Sequence, residues 1–254
     1  MARLDGRTAF ITGAGSGFGA GIARAFAREG AGVVVADLDA AAAQQVADQI
    51  RADGGNGFAV ATDVTDRDSL DSGIAYCQEQ LGSLDTLVAN AGIGQRPVSI
   101  SDTPASELLR QFETNSVGVV QTCQAALPAL RASEDASITI TVSGIALVPR
   151  PQLYGYGMAK AATAYFMKSL ALELAPEKIR VNGLFPAVGD TPMLAEFAGG
   201  SLKDGAAEAF ADALPLGRLI SPEDVANAAV FLASPHEAAT LTGCALPVDA
   251  GRCI

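Results

Sequence analysis

Short runs of β-branched and aliphatic residues alternate with amphipathic stretches along the whole chain. Seven of these runs read as strands: Thr8 to Thr12, Gly32 to Ala36, Phe58 to Thr62, Leu84 to Ala89, Ser137 to Val142, Arg180 to Phe185 and Gly243 to Val248. Uninterrupted apolar runs such as Val33-Val34-Val35 suit strands covered on both faces. The alternation predicts an α/β fold, a doubly wound parallel sheet of about seven strands with helices on both sides. Neither a linker nor a repeat breaks the pattern, so a single domain over residues 1–254 is expected. The least regular stretch, Val188 to Arg218, lies between the last two strands, and its length suggests a mobile cover over a ligand site at the carboxyl edge of the sheet.

Composition narrows the chemistry. The 254 residues carry a formal net charge of −11 with no basic stripe, which argues against nucleic acid as a partner. A single histidine, His236, sits in a Ser-Pro-His-Glu turn and reads as solvated, so histidine-based metal cages and a Ser-His-Asp triad are not expected. Cys77, Cys123, Cys244 and Cys253 are far apart, without metal-ligand spacing, and read as buried thiols of a cytoplasmic protein. The first residues lack an apolar signal-peptide core, and no apolar run reaches membrane-spanning length. The expectation is a cytoplasmic protein with no metal and no membrane contact.

The first strand runs into Thr12-Gly13-Ala14-Gly15-Ser16-Gly17-Phe18-Gly19, and a helical pattern follows. Glycines at a strand-to-helix turn let backbone approach a pyrophosphate, and the new helix points free N–H groups and its positive dipole end at the phosphates. The second strand ends at Asp37, roughly 20 residues beyond the turn, where a carboxylate accepts the ribose hydroxyls of an adenosine. That carboxylate would repel a 2′-phosphate, and its neighbours Ser16 and Leu38 are not cationic. NAD is therefore expected rather than NADP.

Tyr156 and Lys160 are four residues apart within the helical stretch Gly155 to Leu174, so they share a face. An ammonium beside a phenol favours the phenolate, which predicts a lowered Tyr156 pKa and an acid/base role. Tyr154 is a rival, but Met158 stands four residues beyond it. Ser143 follows the apolar strand Ile138 to Val142, where its hydroxyl would stabilise charge developing on a substrate oxygen.

Together these motifs resemble the short-chain dehydrogenase/reductase family, in its compact NAD-preferring form, over essentially the whole chain. The family's glycine motif stands as Thr12, Gly13, Gly17 and Gly19, its Asn-Ala-Gly signature as Asn90-Ala91-Gly92, and its Tyr-xxx-Lys motif as Tyr156 and Lys160, with Ser143 thirteen positions earlier. The resemblance implies a Rossmann-like fold and a homotetramer. It also implies an adenine contact from Asp63 and Val64, and a carboxamide contact from Thr191 within Pro186-Ala187-Val188-Gly189-Asp190-Thr191-Pro192-Met193. It implies, too, a helix distortion at Asn115 that holds a water linking Asn115 to Lys160. Ala187 stands where the family usually has glycine, and Asp249-Ala250-Gly251 departs from its Asp-Gly-Gly.

The implied activity is NAD(H)-dependent interconversion of a secondary alcohol and a ketone. Ser16, Phe18, Leu38, Ala91, Pro186, Val188 and Met193 complete the expected cofactor surround. Gln95, Ile145, Val148, Gln152, Leu153, Val188, Met193, Leu194 and Phe197 are expected pocket walls, and their largely apolar character favours a hydrophobic or modestly polar ketone. Arg96 and Arg150 are candidate anchors for an anionic group on the substrate. An NADPH-dependent 3-oxoacyl-thioester reductase is an alternative, as is a cofactor-sensing protein without catalysis.

Overall fold

A computed structural model describes residues 2–202 and 205–254. The expected strands are all present: β1 Thr8–Thr12, β2 Gly32–Asp37, β3 Asn56–Ala61, β4 Thr86–Ala89, β5 Ser137–Thr141, β6 Arg180–Pro186 and β7 Ala245–Val248. They form one parallel sheet in the order β3-β2-β1-β4-β5-β6-β7. The order reverses beside β1, and that switch point opens a crevice at the carboxyl ends of the strands.

Side chains alternate across the sheet with period two. Phe10, Val34 and Leu87 join one apolar cluster, whereas Ile11, Val35 and Val88 join the other. The first cluster is closed by α3 (Arg67–Leu81), α5 (Gly118–Leu130) and α6 (Tyr154–Leu174), and the second by α1 (Gly17–Arg28), α2 (Ala40–Ala52) and α9 (Pro222–Ala233). Both sheet faces are thereby covered, as the Val33-Val34-Val35 run requires. A short α4 (Ala105–Phe112) leads into α5 through one π-helical turn, Glu113–Val117, which contains the helix distortion expected at Asn115.

Between β6 and α9, the irregular stretch forms α7 (Leu194–Phe197) and α8 (Ala206–Asp212) among its described residues. Residues 203 and 204 of that stretch lie outside the described residues. Among the described residues no helix is long and apolar enough to cross a membrane, and no group of three potential metal ligands gathers. His236 is exposed, as expected. Of the cysteines, Cys77 and Cys123 are buried, with their thiols pushed up to about 12 by burial, but Cys244 and Cys253 are only partly buried. The expectation of four buried thiols fails in the tail because β7 is the edge strand and leaves one flank open.

Candidate active site

The carboxyl ends of six strands converge on a cavity of about 690 Å³. One end of it is built by the β1–α1 turn and the ends of β2 and β3. Gly13 has φ of +62°, and a Cβ there would lie 2.7 Å from the Ala91 Cα, so the turn closes against the β4 loop only without a side chain. Ser16 caps α1 without a side-chain hydrogen bond, and the first turn of the helix holds no acid. Its leading N–H groups thus remain available at the cavity wall, which Ser16, Gly17 and Phe18 form.

Asp37 marks the same end. Its Oδ2 accepts the Gly15 N–H at 2.8 Å and its Oδ1 accepts the Asp39 N–H at 3.0 Å, which fixes the carboxylate beside the turn. Leu38, 74% exposed, Asp63 and Val64 complete the wall there. No Lys or Arg lines this end of the cavity among the described residues.

The middle is held by Asn90. Its Nδ2 donates to the carbonyls of Thr12 at 3.0 Å and Gly13 at 3.1 Å, and its Oδ1 accepts from the Thr141 hydroxyl at 3.0 Å. One amide thereby ties β1, β4 and β5 together across the switch point. Gly19 does not touch the cavity, contrary to expectation. A Cβ on it would overlap the Gly13 carbonyl oxygen, so its role is close packing of α1 against the turn.

At the other end stand Ser143, Tyr156 and Lys160, all on the cavity wall and all buried. Lys160 is 3% exposed, and its Nζ donates to the Thr141 carbonyl at 3.0 Å and lies 5.9 Å from the Tyr156 ring centroid. Burial lowers the Lys160 pKa to about 8. Burial likewise pushes the Tyr156 phenol up from its ordinary value, with the Ser143 hydroxyl drawing it partly back. Burial thus works against the expected lowering of the Tyr156 pKa. Desolvation outweighs an ammonium group that is spent on a backbone carbonyl, and both side chains are driven toward neutrality.

Asn115 is buried off the cavity wall. Its amide donates to the Ile93 carbonyl at 3.0 Å and to Gln111 Oε1 at 2.7 Å, and its Oδ1 accepts the Ile93 N–H at 3.0 Å. Its own carbonyl accepts from the Thr163 hydroxyl at 2.7 Å. The side chain therefore clamps the loop after β4, and Asn115 Oδ1 and Lys160 Nζ both flank Gly92.

Among the predicted cofactor residues, Ala91, Gly92, Pro186, Val188, Thr191 and Met193 also line the cavity. So do the pocket residues Ile145, Val148, Leu194 and Phe197, and the Phe197 ring meets Tyr156 edge-on at 5.3 Å. Gln95, Gln152 and Leu153 are not on the wall. Gln95 is buried beneath the site, its Oε1 accepting the Tyr156 N–H at 2.8 Å and so satisfying an open donor in the first turn of α6. Gln152 is exposed at a left-handed φ of 69°, its carbonyl accepting the Val98 N–H at 3.0 Å, and Leu153 is the buried residue that starts α6. Arg96 packs against Gly200 and does not line the cavity, whereas Arg150 does. Sequence reasoning missed Arg252, Leu214 and Glu196, which also form the wall.

A family model described as enoyl-(acyl carrier protein) reductase matches residues 13–252. A 4-formylbenzenesulfonate dehydrogenase of Comamonas testosteroni is 38% identical over 249 residues, covering 98% of each chain. The chain is a short-chain dehydrogenase/reductase. Another member of the family, the 7alpha-hydroxysteroid dehydrogenase of Escherichia coli K12, is 35% identical over 98% of this chain and 95% of its own. A solved 3-ketoacyl-(acyl-carrier-protein) reductase from Brucella melitensis, complexed with NADH, superposes with a TM-score of 0.90 at 39% identity, covering 99% of this chain and 100% of that one. Membership in this short-chain dehydrogenase/reductase family makes the chain an oxidoreductase that works with a nicotinamide cofactor.

Proposed function

We propose that this protein interconverts a secondary alcohol and a ketone using NAD(H), with Tyr156 as the acid/base. The observation that carries the reading is one continuous cavity with Asp37 and the uncapped start of α1 at one end and Ser143, Tyr156 and Lys160 at the other. The bound nicotinamide supplies or accepts the hydride. The start of α1 binds its pyrophosphate, and Asp37 takes the adenosine ribose, selecting NAD over NADP by charge. In ketone reduction, Tyr156, held protonated by burial, gives its proton to the carbonyl oxygen while the Ser143 hydroxyl donates a hydrogen bond to the same atom. Lys160 exchanges a proton near pH 8 and restores Tyr156. Asn115 and Gln95 act as positioning residues, the first holding the loop after β4 and the second the turn that carries Tyr156.

The described residues of the stretch 188–218 include Met193, Leu194 and Phe197 on the cavity wall, and we take these three to move as substrate passes. Edge strand β7 and exposed Tyr165 and Leu172 on α6 offer faces for a homotetramer. Relatives that act on alcohols and ketones of ring compounds, such as the 7alpha-hydroxysteroid dehydrogenase, support the reaction class. The Brucella neighbour keeps a 3-oxoacyl-thioester reductase as the second reading. An absorbance assay of cyclic ketones, secondary alcohols and a 3-oxoacyl thioester, each with NAD(H) and NADP(H), separates the two. Turnover of cyclic ketones with NADH supports the proposal; turnover confined to the thioester with NADPH overturns it.

A further inference from the structure

Thirteen arginines are spread along this acidic chain. Seven of them form ion pairs with carboxylates, and Arg7, Arg24 and Arg180 donate to carbonyl or amide oxygens. The guanidinium groups of Arg96, Arg150 and Arg252 meet no oxygen acceptor among the described residues. Arg96 lies off the cavity, but Arg150 and Arg252 both line it.

Their position is at the chemical end. Arg150 follows the β5 loop that carries Ser143, and its guanidinium lies 5.1 Å over the Phe210 ring of α8, which restricts its rotamers. Arg252 is brought in by the turn at Ala250 (φ 50°) and Gly251 (φ 85°), and the adjacent Cys253 thiol contacts the Gly144 carbonyl at 3.6 Å. Desolvation and the charge of Arg252 both push the Arg150 pKa down. Two like charges facing one cavity repel each other unless an anion sits between them. The acids on the wall do not fill that role. Asp37 and Asp63 lie at the ends of β2 and β3, three and four strand spacings from β5, about 14 and 19 Å along the sheet. Glu113 lies in the π-helical turn beside Val64, and Glu196 sits against Gly94, where its charge acts on Arg110.

We propose that Arg150 and Arg252 form a subsite for an oxyanion on the substrate, a carboxylate or a sulfonate carried by the ketone or secondary alcohol. Arginine's fixed fork of donors suits such a group, and two forks hold it from two sides. Ile145, Val148, Leu214 and Phe197 flank the apolar body between the anion and Tyr156. Of the two anchors expected from the sequence, this subsite keeps Arg150, pairs it with Arg252 in place of Arg96, and adds an anionic group to the hydrophobic or modestly polar ketone expected there. It rests on the cavity's being the dehydrogenase site proposed above.

The test is calorimetric binding of benzoate, benzenesulfonate and neutral benzamide to the NADH-saturated enzyme. The anions are expected to bind at least about tenfold more tightly than benzamide, and to lose that advantage in Arg150→Met and in Arg252→Met. Unchanged benzamide and NADH affinity shows that each variant is folded. Equal binding of anions and benzamide to the unaltered enzyme, absence of anion binding, or anion binding untouched in both variants overturns the subsite. The two readings fail separately. Turnover of neutral ketones without anion preference removes the subsite alone, whereas anion binding without turnover of any ketone or alcohol removes the redox reading.

Discussion

Replacing Lys160 with methionine should stabilise the protein at neutral pH while abolishing its activity. Lys160 is 3% exposed, and burial drops its pKa from the ordinary 10.5 to about 8. A base with a depressed folded-state pKa binds protons less readily in the fold than in the unfolded chain. Its effect on stability is therefore a penalty below pH 8 that fades as the pH rises towards 10.5. At pH 7 the gap corresponds to ~3 kcal/mol, and by pH 10 it falls below ~1 kcal/mol. The same substitution deprives the Thr141 carbonyl of a donor 3.0 Å away, which costs about 1–2 kcal/mol at every pH. Methionine fills the channel of the lysine stem without a charge.

The net expectation is a gain of about 1–2 kcal/mol at pH 7 that vanishes or reverses by pH 10. In a chain of this size that gain raises Tm by roughly 2–6 °C. Urea denaturation of both proteins at pH 7 and pH 10, with turnover measured in parallel, reads all three quantities. The pH trend is the decisive one, because the lost hydrogen bond and the changed packing do not titrate. A stability difference that stays constant between pH 7 and 10, or that grows, refutes the claim that a buried, destabilised ammonium is held at the site.

Asp37→Ser should lower the NADH-over-NADPH preference in kcat/KM by about 100-fold, since it removes a like charge facing the 2′-phosphate. A double variant that adds Leu38→Arg should turn the preference over; an unchanged ratio in both refutes the ribose assignment. Gly19→Ala places a methyl on the Gly13 carbonyl and should cost 2–4 kcal/mol of stability together with NADH affinity, read by thermal melting and a binding titration. The raised Tyr156 pKa predicts that alcohol oxidation, which needs phenolate, rises steadily with pH from 6 to 10, while ketone reduction stays nearly flat over the same range. An oxidation rate independent of pH from 6 to 10 would count against Tyr156 as the base.

The sheet was legible because the strands are short runs of β-branched and other apolar residues, and the covered faces demand residues such as Val33, Val34 and Val35. The boundaries shifted where pairing rather than composition decides them: β3 starts at Asn56 because it pairs with Gly32, two residues before the apolar run. The two ends of the cavity were readable because Asp37, Ser143, Tyr156 and Lys160 sit at fixed offsets from strand ends or on one helix. Loops were not. Gln95, Gln152 and Leu153 lie near Tyr156 along the chain or in space, yet the fold turns them under α6 or out to solvent, and no periodicity governs that choice. Arg252 stands in the C-terminal tail, outside every motif that the sequence offered. The Asp249-Ala250-Gly251 turn was its only sequence signal. The direction of the Tyr156 pKa shift was not legible for a different reason. Spacing identifies the pairing of Tyr156 with Lys160, but burial, which spacing does not report, sets the resting charge.

The central claim is tested most directly by Tyr156→Phe, with turnover of a ketone and NADH affinity measured on the same preparation. The phenyl ring keeps the edge-on contact with Phe197 and loses only the hydroxyl. The account predicts that turnover falls by about 10²–10⁴-fold while NADH binds within about twofold of the unaltered enzyme. Turnover that persists within a few-fold of the original, with NADH still bound, would contradict it.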